Sequence, residues 1–284
     1  MFIIKLISRL PLSVLYILSD FLYFLACHVL QYRKEVIVIN LRNAFPEKPE
    51  KEIQKIKKDF YRNFTDSIVE TVKFLTISRE ELLERVKLVN YEIIRERVEA
   101  GKLVIGVCPH FFNWEAHLLA GTATWSIPVE TVYQKVNEAF FENLMYQIRS
   151  RFGCDLVERG NFQRNFIKKR NEPRLIVLAA DQRPTHSDIR YWRSFMNQET
   201  AFFEGAEKIA KRFDSSVIFG FTTKPKRGHY TFTYQLISDA PHDSTDHSIT
   251  DRFVELTEEN IRQEPALYLW SHNRWKEKRE KGER

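Results

Sequence analysis

From Leu103 onward, short runs rich in β-branched and apolar residues alternate with stretches of helical length, and that rhythm limits what the chain can fold into. "LVIGVC" (103–108) is a compact buried-strand run. "VETVY" (129–133), "CDLV" (154–157), "LIVLAAD" (175–181) and "SVIFGFT" (216–222) follow it, and "YTFTYQLI" (230–237) alternates as a half-buried strand does. Helix-like segments lie between most of them, at 137–151, 161–170 and 200–213. Strands joined through helices pair in parallel, so the sequence predicts an α/β fold, a mainly parallel sheet flanked by helices on both faces. The last two runs, joined through "KPKRGH", are expected to form an antiparallel hairpin.

Ahead of this core the chain reads as helices. Ile53, Ile56, Phe60 and Phe64 recur three or four residues apart, continuing through Ile68 and Val72 to Leu75, which predicts one helix with a buried stripe and a Lys-rich outer face. Ser78 followed by Glu81 has the capping-box spacing, so another helix is expected to start there, and helices continue to about Arg97. The expected organisation is therefore a membrane-anchoring helix over 1–34 and a second unit over 35–284, with helices up to 100 and the α/β core from 101.

The anchor expectation rests on Leu10–Leu30, 21 residues in which Asp20 is the single formal charge. As a helix this run is about 30 Å long, the thickness of a bilayer core. Asp20 costs about 2.5–3.5 kcal/mol at mid-bilayer. Two readings stand: a spanning or deeply embedded anchor, and the buried first helix of a soluble core. A signal peptide fits less well, since the run is long and lacks a small-residue cleavage site. Lys5 and Arg9 precede it and Arg33 and Lys34 follow, so charge does not set an orientation. With 43% hydrophobic residues and 22 Phe, the chain can build a large core, which excludes extended disorder. The net charge of +6 is modest and suits an anionic partner or a membrane surface. Cys27, Cys108 and Cys154 are too scattered for a disulfide framework or a thiolate metal site.

One stretch carries candidate chemistry. "PHFFNWEAHLL" (109–119) places His110 and Glu115 five residues apart, just after the first strand. Within one helix they would diverge by about 140°. They converge only if His110 lies in the loop and Glu115 in the first helical turn, which Pro109 and the N-cap candidate Asn113 allow. Such a pair can act as a general base, the imidazole taking a hydroxyl proton while Glu115 holds its other nitrogen. An ordinary loop hydrogen bond is the alternative. A metal site fits poorly, because His117 would point away from Glu115 and neither HExxH nor CxxC is present. G-x-S-x-G and Walker-type loops are also absent.

The same stretch resembles the H-x4-D/E box of glycerolipid acyltransferases, in the "HFGNWE" form of the lipid A late acyltransferases. "IRSRFGCDLV" (148–157) is similar to that family's Arg-x-x-x-Gly segment, "LAADQRP" (178–184) to its strand-ending Asp-Gln, "GAEKIAKR" (205–212) to the helix after its glycine, and "PALYLWSHNRWKEK" (265–278) to its closing WxHxRWK element. "NLRNAFPEK" (40–48) and the N-terminal apolar run fit as well. The resemblance implies an enzyme that moves a fatty acyl group from a thioester to a hydroxyl of lipid A or its precursor. Other acceptors in the class are lysophospholipids, amino-acid lipids and glycolipids. His110 carries over as the base and Glu115 as its partner; Arg149, Asp181, Asn113, Gly205, His272 and Arg274 carry over as substrate-binding residues. Arg149 is expected to steady an acceptor phosphate or the oxyanion, and Asp181 to orient Arg149 or a hydroxyl.

The resemblance implies no cofactor and no metal, with acyl-ACP or acyl-CoA as co-substrate. It implies acyl carrier protein, a lipid acceptor and the membrane as partners, no nucleic acid, and a place on the cytoplasmic face of the inner membrane. Phe111-Phe112 and Glu204 depart from the lipid A enzymes near where an acceptor would bind. The tail "SHNRWKEKREKGER" carries six Lys/Arg against three Glu and suits lipid phosphates or an acidic carrier. A lipid ester or thioester hydrolase and a non-catalytic lipid-binding protein are the competing classes.

Overall fold

The computed structural model describes residues 1–184, 190–243, 245–276 and 278–279, with Arg190 described by its backbone alone; Glu277 and the last five residues of the basic tail lie outside the described residues. The expected runs form the sheet: β2 (Val104–Cys108), β3 (Val129–Tyr133), β4 (Asp155–Glu158), β5 (Leu175–Ala179), β8 (Ser216–Lys226) and β9 (His229–Ser238), counting two hairpin strands, β6 (Arg190–Phe195) and β7 (Gln198–Phe203), and a first strand, β1 (Val86–Val89). The order is β1-β9-β8-β2-β5-β3-β4, and every pairing except β8–β9 is parallel. The final hairpin turns at Gly228, whose φ of +70° suits glycine, and the hydroxyl of Tyr16 approaches it closely.

Both faces of this sheet are covered. In β2, Val104 faces a layer that includes α5 (Arg79–Arg85), α6 (Glu92–Glu99), α7 (Trp114–Thr124) and α8 (Ala139–Arg149). Ile105 and Val107 face the opposite layer, with α9 (Phe162–Lys168), α10 (Gly205–Phe213) and α11 (Ser248–Gln263). Burial on both faces is why these strands read as continuous apolar runs.

Two expectations are corrected. Val86–Val89 lies in the stretch expected to be helical, yet it pairs with β9 at the sheet edge; four residues are too few to announce a strand. The segment 200–213 is not one helix. Its first residues belong to β7, paired with β6 in a separate two-stranded sheet, and the helix begins at Gly205. The hairpin between β6 and β7 turns through Met196 and Asn197, both at positive φ, a connection that matches strand twist.

The long helix forms as α4 (Glu50–Phe74), following α3 (Lys34–Ala44), and Ser78 caps α5 by accepting the N–H of Glu81. The stripe of α4 is also corrected. Ile68 is 42% exposed, while Asp66, Glu70 and Lys73 are buried. Their partners explain the inversion: α1 (Phe2–Ser8) and α2 (Leu12–Phe24) lie along this side of α4. Ser19 donates to Asp66 at 2.7 Å, Tyr16 donates to Glu70 at 2.9 Å, and Lys73 donates to the Leu10 carbonyl at 3.2 Å. Arg227 joins Asp20 and Asp66, each at 2.7 Å. The N-terminal helices thus dock a polar edge on the domain and turn apolar side chains outward, with Phe2 81% and Ile17 71% exposed. By length and composition Leu12–Val29 is apolar enough to cross a membrane.

Asp66 is 3% exposed and receives Ser19, Lys224 and Arg227, so removing it takes away the buried carboxylate that joins all three. Asp66→Ala should lower stability by about 3 kcal/mol. Thermal unfolding in detergent would measure the loss, and limited proteolysis should show cleavage within residues 1–30 rising with it.

Candidate active site

Strand register brings the first pair of functional side chains together. Cys108 sits opposite Ala179 in the parallel β2–β5 pair. Two residues further along each chain come His110 and Asp181, and the imidazole Nδ1 lies 2.6 Å from the Asp181 carboxylate. Asp181 is buried. Burial alone would raise its pKa, but His110 and the nearby Arg274 outweigh that and hold the carboxyl below its usual range. With Nδ1 donating to the carboxylate, Nε2 is the accepting nitrogen, and the Gln182 amide stands 3.3 Å from it. The Trp114 ring meets the imidazole edge-on at 5.4 Å.

Glu115 has a different partner. Asn113 caps α7, its side-chain oxygen accepting the N–H groups of Glu115 at 3.1 Å and Ala116 at 3.3 Å. The first turn then aims Glu115 at Arg149, the last residue of α8. Arg149 Nε lies 2.9 Å and Nη2 2.5 Å from its carboxylate oxygens, a two-pronged ion pair, and the Trp114 indole donates to Glu115 at 2.9 Å. Burial works against the charge on Arg149, but Glu115 overrides it and raises the pKa. The expected contact of Glu115 with His110 is therefore not made. The neighbouring strand supplies the imidazole's carboxylate, Asp181, which was expected to orient Arg149 or a hydroxyl instead.

A cavity of about 940 Å³ opens here. His110, Trp114, Glu115, Arg149 and Gln182 line it, with Gly205 and Phe203 on the α10 side. Between the sheet and α7 it runs past Gly106, Gly220 and Leu118 to Ile94 and Trp125. Gly220 matters to that path, because a Cβ there would lie 2.8 Å from the His117 ring. His117 bonds the Tyr234 hydroxyl at 2.8 Å and stacks on Phe232 at 4.0 Å. Cys108 supplies no nucleophile, since burial and Asp181 push its thiol up to about 12. Among the described residues no group of three or more His, Cys, Asp or Glu is placed to hold a metal ion.

Four expected substrate-binding residues, Asp181, Asn113, His272 and Arg274, do not line the cavity; Asp181 is buried and reaches it only through His110. Asn113 is buried and both ends of its amide are used, one on α7 and one on Glu70. Arg274 is buried behind the site, donating to the Ala201 carbonyl at 2.5 Å and stacking over Phe202 at 4.7 Å. His272 lies beside it and accepts a long 3.5 Å bond from the Arg183 N–H. Glu204, a departure noted in the sequence, is held by His247 at 2.5 Å and Lys208 at 3.1 Å. Tyr234 has no signal in the sequence, while Gln182 enters there only as part of the Asp-Gln element and His117 only as a poor metal ligand. The strand register that reveals Gln182 beside His110 exists only once β2 and β5 are paired.

Comparison with known proteins decides the family. Residues 1–277 match the family described as bacterial lipid A biosynthesis acyltransferase. The chain belongs to that family. It is similar to the lipid A biosynthesis acyltransferase of Haemophilus influenzae, 26% identical over 243 residues, 84% of this chain and 75% of that protein. Among solved structures it is similar to the 1-acyl-sn-glycerophosphate acyltransferase PlsC from Thermotoga maritima, with a TM-score of 0.43 and 11% identity, covering 87% of this chain and 96% of that one. The enzyme is an acyltransferase and transfers acyl groups to a lipid.

Two histidines near this acyltransferase's site give it an acid sensitivity. Burial pushes both His117 and His272 down to about 4 from an ordinary 6.5. Between those values the unfolded chain binds protons that the folded chain refuses. Stability should therefore hold above about pH 6.5 and fall as the pH drops toward 4. Unfolding midpoints recorded across that window would show it, and His117→Phe should flatten the slope.

Proposed function

We propose that this acyltransferase moves a fatty acyl chain from acyl carrier protein to a hydroxyl of lipid A or its precursor, with His110 as general base. The observation that carries the reading is the His110–Asp181 pair at one end of a cavity whose deep walls are largely apolar. Asp181 holds the Nδ1–H and stabilises the imidazolium that forms; Nε2 takes the proton of the acceptor hydroxyl. The oxygen adds to the thioester carbonyl, the tetrahedral intermediate collapses, and the thiolate leaves with the proton returned by His110. Glu115 acts through Arg149, holding a guanidinium at the cavity wall where it can meet the oxyanion or an acceptor phosphate. The thioester supplies the activation, so the scheme needs no cofactor.

The path between the sheet and α7 suits the acyl chain. An 11-residue helix is about 16 Å long, and each buried methylene contributes about 0.8 kcal/mol, so depth selects length. The outward apolar side of α1 and α2 supports a seat on the membrane, and the basic side chains of α4 suit an acidic carrier protein. These features favour the cytoplasmic face of the inner membrane, where a soluble carrier can reach the enzyme.

Cells lacking the protein should show one acyl chain missing from lipid A by mass spectrometry; an unchanged lipid A with another lipid depleted would reassign the acceptor. With purified enzyme, His110→Ala should abolish transfer, and Asp181→Asn should lower kcat by about 10²–10⁴-fold, since it removes the group that orients the base. Glu115→Gln should cost less, about ten- to a hundredfold, because it weakens an ion pair one residue removed from the imidazole. Free fatty acid released at full rate without acceptor would point to a hydrolase.

A further inference from the structure

The amide of Asn113 has an accepting end and a donating end, and only the accepting end can cap α7. Its oxygen receives the N–H groups of Glu115 and Ala116, and its nitrogen points inward, 3.1 Å from Glu70 on α4. Both side chains are buried, so no solvent competes for either end. A carboxylate accepts and does not donate, and this one also receives Tyr16 from α2 at 2.9 Å and Tyr230 from β9 at 2.7 Å. Glu70 therefore joins four elements while lining no part of the cavity. Burial raises its pKa; Lys224 and the donors from Asn113 and Tyr230 pull against that rise.

We propose that Glu70 is a positioning residue of the transfer reaction: it selects the orientation of the Asn113 amide, and so sets the first turn of α7 that aims Glu115 at Arg149 and anchors the loop carrying His110. This rests on the catalytic reading above. An inverted amide would turn its NH2 toward the N–H groups that open α7, and two donors cannot satisfy each other. The hydrogen-bond polarity of the Glu70–Asn113 contact is thus a catalytic setting as well as a packing detail.

That polarity can be reversed, which gives the test. Aspartate caps helices as well as asparagine does, so Asn113→Asp leaves a pure capping role intact. It does, however, set two carboxylates face to face. Asn113→Asp should lower kcat at least about tenfold while the KM values for acyl thioester and acceptor stay within about twofold. Adding Glu70→Gln lets one N–H of the new amide at 70 donate to the new carboxylate at 113, whose other oxygen still caps the helix. The second N–H of that amide meets the Tyr230 oxygen, which turns from donor to acceptor, and the double variant should restore kcat to within about threefold of wild type. Thermal unfolding would accompany each assay. A fully active Asn113→Asp overturns the proposal, as does a double variant no better than the single one. Should Asn113→Asp not fold, the double variant decides alone: folded and active supports the proposal, while inactive or unfolded overturns it. Wild-type enzyme that transfers no acyl group would instead sink the catalytic reading, which is a separate result.

Discussion

The parallel pairing of β2 with β5 is the constraint from which the site follows. Cys108 and Ala179 face each other across that ladder, so each chain leaves the sheet at the same level and carries His110 and Asp181 into contact. A carboxylate from the adjoining strand is better placed than one from the following helix. It leaves at the same sheet edge, and the pair needs no bending of the loop. Glu115, released from the imidazole, can hold Arg149 instead, so His110, backed by its hydrogen bond to Asp181, and the Glu115–Arg149 ion pair both face one cavity. Ligand sites of open α/β sheets lie at the carboxyl ends of strands for this reason: loops leave there together.

Much of the fold was legible because burial on both faces writes itself into a strand as an unbroken apolar run. The runs at 103–108, 175–181 and 216–222 needed no further information. Val86–Val89 was not legible, being short and at the edge, and Gln198–Phe203 merged with the helix behind it because Ala201–Phe203 adjoins the apolar positions of α10 with only Glu204 between strand and helix. The stripe on α4 failed more instructively. Periodicity assigns the buried face to hydrophobic residues, yet Asp66 and Glu70 are buried and Ile68 is not. Their partners Tyr16, Arg227 and Tyr230 lie far away in sequence, and no local pattern announces them.

The site divided along the same line. His110, Glu115 and Arg149 do line one cavity, with Asp181 bonded to His110, and their identities were readable from the sequence. Which of them touch was not, because spacing along the chain says nothing about which strands become neighbours. Asn113 was readable as a helix cap, and that role, with its second bond to Glu70, occupies it fully. Arg274 sits behind the site on the Phe202 ring, where its charge steadies Asp181 from below.

The helices at the amino end have one more consequence, which concerns handling the protein. Their greasy outer surface invites a biochemist to trim them off to gain solubility. Trimming would unroof Asp66 and Glu70, take the phenol of Tyr16 from the carboxylate that also receives the α7 cap Asn113, and leave water where side chains now pack. A shortened version that dissolves well and does nothing would say little about whether the natural enzyme needs a bilayer, because the outward apolar surface and the bonds to Asp66 and Glu70 are cut by the same stroke.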